Sequence, residues 1–136
     1  MFTSQTEIRV RYGETDKMGV VYNGNYALYF EVGRTEALRQ IGITYDSIEQ
    51  EGTMMPVHSM SMHFHKPAVY DEVLTIHTSF EALPSVRIKI QYDIRNINNE
   101  KVCSGETTLV FVDRMSGKPV RCPEYILKAF QPYFAQ

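Results

Sequence analysis

A chain of 136 residues with 43% apolar content is long enough for one domain that buries roughly two-thirds of its unfolded surface. Its formal net charge of −2, with acidic and basic residues interspersed, supplies no long-range field that would draw it to nucleic acid or an anionic membrane. No apolar run approaches the ~20 residues of a membrane span, and the two cysteines, Cys103 and Cys122, fall outside any metal-ligand spacing and read as reduced thiols, so the expectation is a cytoplasmic protein without membrane insertion.

In chain order, Thr6, Ile8, Val10 and Tyr12 alternate with Glu7, Arg9 and Arg11, the period of a half-buried strand over 6–12. Gly13 ends the alternation, and polar turn chemistry through Asp16 and Gly19 leads into a short apolar run, Val20 to Tyr22. One long helix follows. Asn23 and Asn25 are both suited to cap it, and Tyr26, Tyr29, Phe30, Gly33, Ala37 and Ile41 share one broad face. Glu31, Arg34, Thr35 and Arg39 fall on the opposite side. Gly33, in the middle of the apolar face, costs about 1 kcal/mol of helix propensity, which predicts close approach of another backbone. Gly42 stops the helix, with Ile43 placed to contact Leu38 in a Schellman motif. Thr44 then caps a short helix over 45–51, closed by Gly52.

After Met54 the period changes to two. Met60, Met62 and Phe64 share a face of the stretch 56–66, and Leu74, Ile76 and Phe80 do so in 72–80. Ile88, Ile90, Tyr92 and Ile94 alternate with Arg87, Lys89, Gln91 and Asp93 in the clearest strand of the chain. A last long strand is expected over 102–113 and a short C-terminal helix over 124–134. A strand, a long helix and four strands joined tightly make an α+β protein with an antiparallel sheet covering the apolar helix. With no repeat, low-complexity tract or linker, the whole of 1–136 reads as one domain.

The chemistry concentrates in Glu14 to Asn25. Asp16 stands seven residues before Asn23, where the helix opens. A helix start offers unpaired N–H groups and the positive end of a dipole, so a carboxylate beside it resembles half of an acyl-transfer site. Taken alone, Asp16 reads more readily as a turn or capping aspartate than as a catalytic one.

The run Tyr12-Gly-Glu-Thr-Asp16-Lys-Met-Gly19-Val-Val-Tyr22-Asn-Gly-Asn25-Tyr26, with Tyr70 to Ile76 and the turn Val112 to Pro119, resembles the hotdog-fold thioesterases of the 4-hydroxybenzoyl-CoA and short-chain acyl-CoA branch. The similarity runs over the whole chain. Its most specific part is Asp-x-x-Gly followed by two small apolar residues and an aromatic one.

The resemblance implies a five-stranded antiparallel sheet wrapped around a long central helix, and homodimers or dimers of dimers with active sites shared across the subunit interface. It implies hydrolysis of an acyl-CoA thioester to free acid and CoA, with no cofactor and no metal. The acid matching Asp16 acts as general base or as nucleophile. The backbone N–H matching Asn23, with Gly24 beside it, polarises the thioester carbonyl, and Tyr22 adjoins the substrate. Relatives often carry His or a bulkier residue at the Asn23 position. Some hold the CoA phosphates with basic residues where this chain has Ala82-Leu83-Pro84, which leaves Ser85, Arg87 and Lys89 as candidates against their reading as solvated surface.

One acid suffices for such a reaction because the leaving thiol has a pKa of about 8.5 and departs without protonation. An exposed aspartate titrates near about 4, and an interface that partly desolvates it brings it toward a useful range.

Other polar residues read more plainly. Glu14 reads as a solvated turn residue, and Glu31 and Glu36 as helix-surface pairing partners. His63 and His65 share a strand face, but zinc needs at least three protein ligands. His58 falls on the other face and His77 on another strand. The methionines 54, 55, 60 and 62 read as core or as an adaptable acyl pocket. Two rivals stand beside the hydrolase: a non-catalytic acyl-CoA or protein binding module on the same fold, and a hotdog dehydratase, whose chemistry calls for a histidine near the motif or central helix.

Overall fold

The computed structural model describes residues 1–134, so the last two residues of the domain expected over 1–136 lie outside the described residues. The elements are β1 (Phe2–Arg9), α1 (Asn25–Gln40), α2 (Tyr45–Gln50), β2 (Thr53–Met54), β3 (Val57–Phe64), β4 (Val73–Phe80), β5 (Arg87–Arg95), β6 (Lys101–Val110), β7 (Val112–Asp113) and α3 (Glu124–Phe130). Single 3-10 turns lie at Tyr12–Glu14 and Gln131–Tyr133.

The five long strands form an antiparallel sheet in the order β1-β4-β5-β6-β3. Because β1 and β3 are the two edges, the chain between them must cross the sheet, and α1 is that crossing. Its buried residues include Tyr26, Tyr29, Phe30, Gly33, Ala37 and Leu38. The sheet meets them with the fully buried Leu74, Ile76, Ile88, Ile90 and Ile94. Phe30 stacks on Tyr92 with ring centroids 4.2 Å apart and an interplanar angle of 6°. Each large apolar side chain moved from water into this layer stabilises the fold by roughly 1.5–3 kcal/mol. The result is the expected hotdog arrangement, a sheet curled over one helix.

The helix ends as its sequence predicts. The N–H of Ile43 donates to Leu38 O at 2.9 Å and that of Gly42 to Arg39 O at 3.0 Å, with Gly42 at φ +85°. Those two bonds and the left-handed glycine are the Schellman stop.

Several boundaries and faces differ from expectation. The first strand occupies 2–9 instead of 6–12, because Phe2 and Ser4 extend the inward face and all eight positions pair with β4. Tyr12 leaves the ladder for a 3-10 turn and is exposed. The strand expected over 102–113 breaks at Phe111, and its end, β7, pairs with β2 in a separate two-stranded ribbon. The C-terminal α-helix stops at Phe130 and a 3-10 turn continues, since Pro132 has no N–H to offer a further α-turn. Met55 joins the core, whereas Met54 and Met60 are exposed.

Arg34 is the largest departure: expected on the outer face, it is buried, and its Nε donates to Tyr45 Oη at 2.9 Å. Its long stem packs like an apolar side chain while the guanidinium reaches a hydroxyl and, at 3.9 Å, Glu31.

At Gly33 the close neighbours are side chains of β4, not backbone. A Cβ there would stand 2.6 Å from Thr78 Oγ1 and 2.7 Å from Ile76 Cγ2, and Ile76 is stiff at χ1. Gly33→Ala should therefore be destabilising. Its helix-propensity gain of about 1 kcal/mol is smaller than the roughly 1–3 kcal/mol of overpacking. Urea denaturation should show a lower midpoint, and a raised one would mean that β4 yields freely.

Candidate active site

The segment between the Tyr12–Glu14 turn and α1 is organised by Glu14. The turn brings its carboxylate back to Arg11, whose N–H donates to Oε1 at 2.8 Å and whose Nε donates to Oε2 at 3.0 Å. Tyr29 Oη, on α1, donates to Oε1 at 2.9 Å. The carbonyl of the same residue accepts the N–H of Tyr22 at 2.9 Å and Nδ2 of Asn25 at 2.7 Å. Glu14 is thus not the solvated turn residue expected, and its side chain is only 12% exposed. Burial pushes its pKa up, but the Arg11 N–H, the Tyr29 hydroxyl and the Arg11 guanidinium outweigh this and leave it below its ordinary value. Burial, reinforced by the Glu14 carboxylate, holds the Tyr29 hydroxyl protonated far above its usual range.

Asp16 sits two residues further on, in a loop that closes on itself. Its Oδ1 accepts the N–H of Met18 at 2.8 Å, its N–H donates to Val20 O at 2.9 Å, and its carbonyl accepts the N–H of Gly19 at 2.9 Å. Gly19, at φ +80°, makes the reversal that a residue with a side chain would resist. Asp16 is exposed. Among the described residues, its Oδ2 has no hydrogen-bond partner.

The helix start differs from the expected asparagine caps. Gly24 is the N-cap and has no side chain to offer, while the Asn25 amide is spent on Glu14. Among the described residues, no acceptor is bonded to the N–H of Asn23 or of Gly24. Both residues are exposed. The Tyr22 ring lies over this turn, 3.0 Å from where a Gly24 Cβ would stand, and is 59% exposed.

Beside Asn23 is a recess of about 210 Å³, lined by Val20, Val21, Tyr26, Phe64 and Pro67 together with His65 and Lys66. The rings of Tyr26 and Phe64 are 5.7 Å apart. The end of β3 and the residue after it bring Phe64 and His65 here from a distant part of the chain, which no local motif announces. No histidine lies near the motif or the central helix in sequence, yet the fold brings His65 to this recess. His65 is bonded through Nε2 to Ser104 Oγ at 2.8 Å.

Residues 10–130 match the sequence pattern of the thioesterase-like superfamily. The chain belongs to this family. It is 36% identical over 121 residues to Bacillus subtilis YneP, spanning 89% of this chain and 88% of that protein. It is 30% identical over 124 residues to the acyl-CoA thioester hydrolase YbgC of Escherichia coli, spanning 91% and 92%. The solved DHNA-CoA thioesterase of Staphylococcus aureus superposes with a TM-score of 0.90 at 35% identity, covering 98% of this chain and 90% of that one.

The remaining candidates of this thioesterase-family chain lie elsewhere. Arg87 pairs with Val110 and Leu109 with Val57, so Ser85 and Arg87 stand at the end of the sheet where β3 begins. Asn23 adjoins the end where β3 finishes, about 23 Å away for an eight-residue strand. Lys89 turns to the sheet face away from α1, its Nζ 3.9 Å from Glu106. Arg121, not anticipated, lies next to Ser85, because the N–H of Cys122 donates to Ser85 O at 2.7 Å.

His63 and His77, expected on separate strands, are brought to one outer-face cleft with Asp93. Among the described residues no three His, Cys, Asp or Glu side chains converge as metal ligands. Burial pushes both cysteine thiols up to about 12, which makes neither a ready nucleophile.

The lowered Glu14 pKa has a consequence for stability. It contributes stability that is present above its unfolded value of 4.5 and lost as pH falls through the lower folded value. Glu14→Gln should therefore be most destabilising near neutral pH, with the difference from wild type shrinking toward pH ~3. Urea titrations at both pH values check this, and a difference that grows in acid would contradict it.

Proposed function

We propose that this chain hydrolyses acyl-CoA thioesters to the free acid and CoA. Asp16 serves as general base or nucleophile, and the N–H of Asn23, joined by that of Gly24, stabilises the oxyanion. The observation that carries the reading is that an exposed carboxylate with a free oxygen and two unbonded helix-start N–H groups occupy one hydrogen-bonded loop beside an apolar recess. The activities named for YbgC and for the Staphylococcus enzyme support the same chemistry.

As the acyl carbon becomes tetrahedral, its oxygen gains charge where N–H donors and the helix dipole are already aimed. The carboxylate either takes a proton from a water that attacks the carbonyl, or attacks the carbonyl itself to give a mixed anhydride that a water then hydrolyses to the free acid. The thiolate then leaves unprotonated. His65, held by Ser104, shows no pairing with Asp16, so the acid–histidine couple of a dehydratase finds no support.

The site requires a second copy of the chain. Strand β3 is a sheet edge with Met60 and Phe64 46% and 53% exposed, a surface that pairing edge to edge would cover. Antiparallel joining of β3 to its twofold mate sets the start of one beside the finish of the other. The partner's Ser85, Arg87 and Arg121 then reach the Asn23 side of the sheet, where they serve the phosphates of CoA. Lys89, on the outer face, is the weakest of the phosphate candidates.

Thioester cleavage followed by thiol release tests the reaction. Asp16→Asn should abolish turnover on a panel of aliphatic, branched and aromatic acyl-CoAs. Asn23→Ala, which keeps the amide, should stay within several-fold of wild type, whereas Asn23→Pro should lower kcat by about 10²–10³. If wild type binds CoA yet hydrolyses nothing, the chain is a binding module.

Arg87→Ala and Arg121→Ala should each raise KM about tenfold for acyl-CoA, the weight of one charge-assisted hydrogen bond. KM for an acyl-pantetheine, which lacks the nucleotide phosphates, should not change. Equal effects on both substrates would remove these arginines from phosphate binding, and a sedimenting monomer would remove the shared site.

A further inference from the structure

We infer that Glu14, Asn25 and Tyr29 form a clamp that sets the Asp16 loop against the start of α1, making Glu14 and Tyr29 positioning residues for hydrolysis. The inference rests on the thioesterase reading above and adds residues that the reading does not use.

A general base or nucleophile and an oxyanion donor must keep their separation to within a fraction of an ångström. The two sit on unlike supports. The N–H groups of Asn23 and Gly24 belong to the turn that opens a helix pinned across the sheet. Asp16 belongs to a loop of exposed residues whose tip, Met18, is 85% exposed. Bonds within the loop, from Met18 and Gly19 to Asp16, set its shape but not its place. Its far side is tied to the segment after β3, through Val21 N–H to Ala68 O at 2.8 Å.

On the entry side, the link to α1 runs through Glu14. Asn25 and Tyr29 are one helical turn apart and so project from one face. The first grips the Glu14 carbonyl at 2.7 Å and the second its carboxylate at 2.9 Å. The Tyr22 N–H joins the carbonyl from the residue before the oxyanion donor. One residue is thus held at both backbone and side chain, two positions from Asp16. Its grip continues into the recess, for Tyr29 packs edge-on against Tyr26 at 5.6 Å and 90°, and Tyr26 lines that recess.

The test is steady-state hydrolysis by the full chain carrying Tyr29→Phe, Glu14→Ala or both, with folding checked by circular dichroism and CoA affinity by calorimetry. Tyr29→Phe should lower kcat about tenfold and Glu14→Ala about a hundredfold, the scale of an ångström's misplacement. KM and the CoA Kd should stay within about threefold, because binding is not what the clamp supplies. The double variant should be no worse than Glu14→Ala alone, since both remove one device.

Tyr45→Phe is the control. It deletes a hydroxyl bonded to Arg34 away from the loop and should leave kcat within about twofold. The clamp is overturned if Tyr29→Phe and Glu14→Ala keep wild-type kcat, if their losses fall in KM, or if Tyr45→Phe loses as much as Tyr29→Phe. Should Glu14→Ala fail to fold, Tyr29→Phe decides alone. A wild type inert on every thioester overturns the hydrolase reading and the clamp with it, whereas an active wild type with a silent Asp16→Asn and fully active clamp variants overturns the clamp only.

Discussion

Everything in this molecule depends on α1 lying flat across the sheet. The strand order sends the chain from one edge to the other between β1 and β3, and only a helix with a near-continuous apolar flank satisfies its own backbone while making that passage. The contact is tight where Gly33 meets Ile76 and Thr78 and flat where Phe30 stacks on Tyr92. Because the helix cannot slide or roll without breaking both contacts, its N-terminus is a fixed point. The unbonded N–H groups of Asn23 and Gly24 inherit that rigidity from a core they do not touch.

The polar groups beneath the helix add a second constraint. Arg34 reaches Tyr45, and Tyr92 shares a hydrogen bond with Thr107 at 2.7 Å, so α1 is tied to α2, and β5 to β6 under the helix, by groups that would be costly to strand. A buried cation of this kind is poor evidence of added stability.

What could be read from the sequence was periodic or local. The alternation of β5, the 3.6 period of α1 and the Gly42-Ile43 stop depend on neighbours in the chain and appear where expected. The Asp16 loop carries the contiguous run on which the family resemblance rests, so it is visible too. What escaped depends on tertiary register. Arg34 has the chemistry of a surface residue and reads as outward-facing, because no pattern within the helix shows that Tyr45 waits below. Glu14 looked solvated because its partner Tyr29 lies on another element. The recess wall at Phe64 and His65 exists only because β3 returns to the helix start, and Arg121 adjoins Ser85 only through a backbone bond between distant segments. The break of the last strand at Phe111 was hidden since its apolar run continues smoothly across it.

The same division bears on how such a site can vary. In the proposed reaction the oxyanion is met by backbone N–H groups, which every residue except proline supplies, so the side chain at position 23 is free to change with the substrate while the charge stabilisation stays. The carboxylate has no such freedom, since it must be an acid at a set distance from those amides. Selection on the reaction therefore falls on Asp16, on the glycine turn that points it, and on the residues holding its loop to the helix, whereas selection on the acyl group falls on the recess and the edge of β3. That is why the motif is compact and readable while the pocket is assembled from scattered positions: the first obeys the geometry of one bond being broken, and the second only the shape of whatever is attached to it.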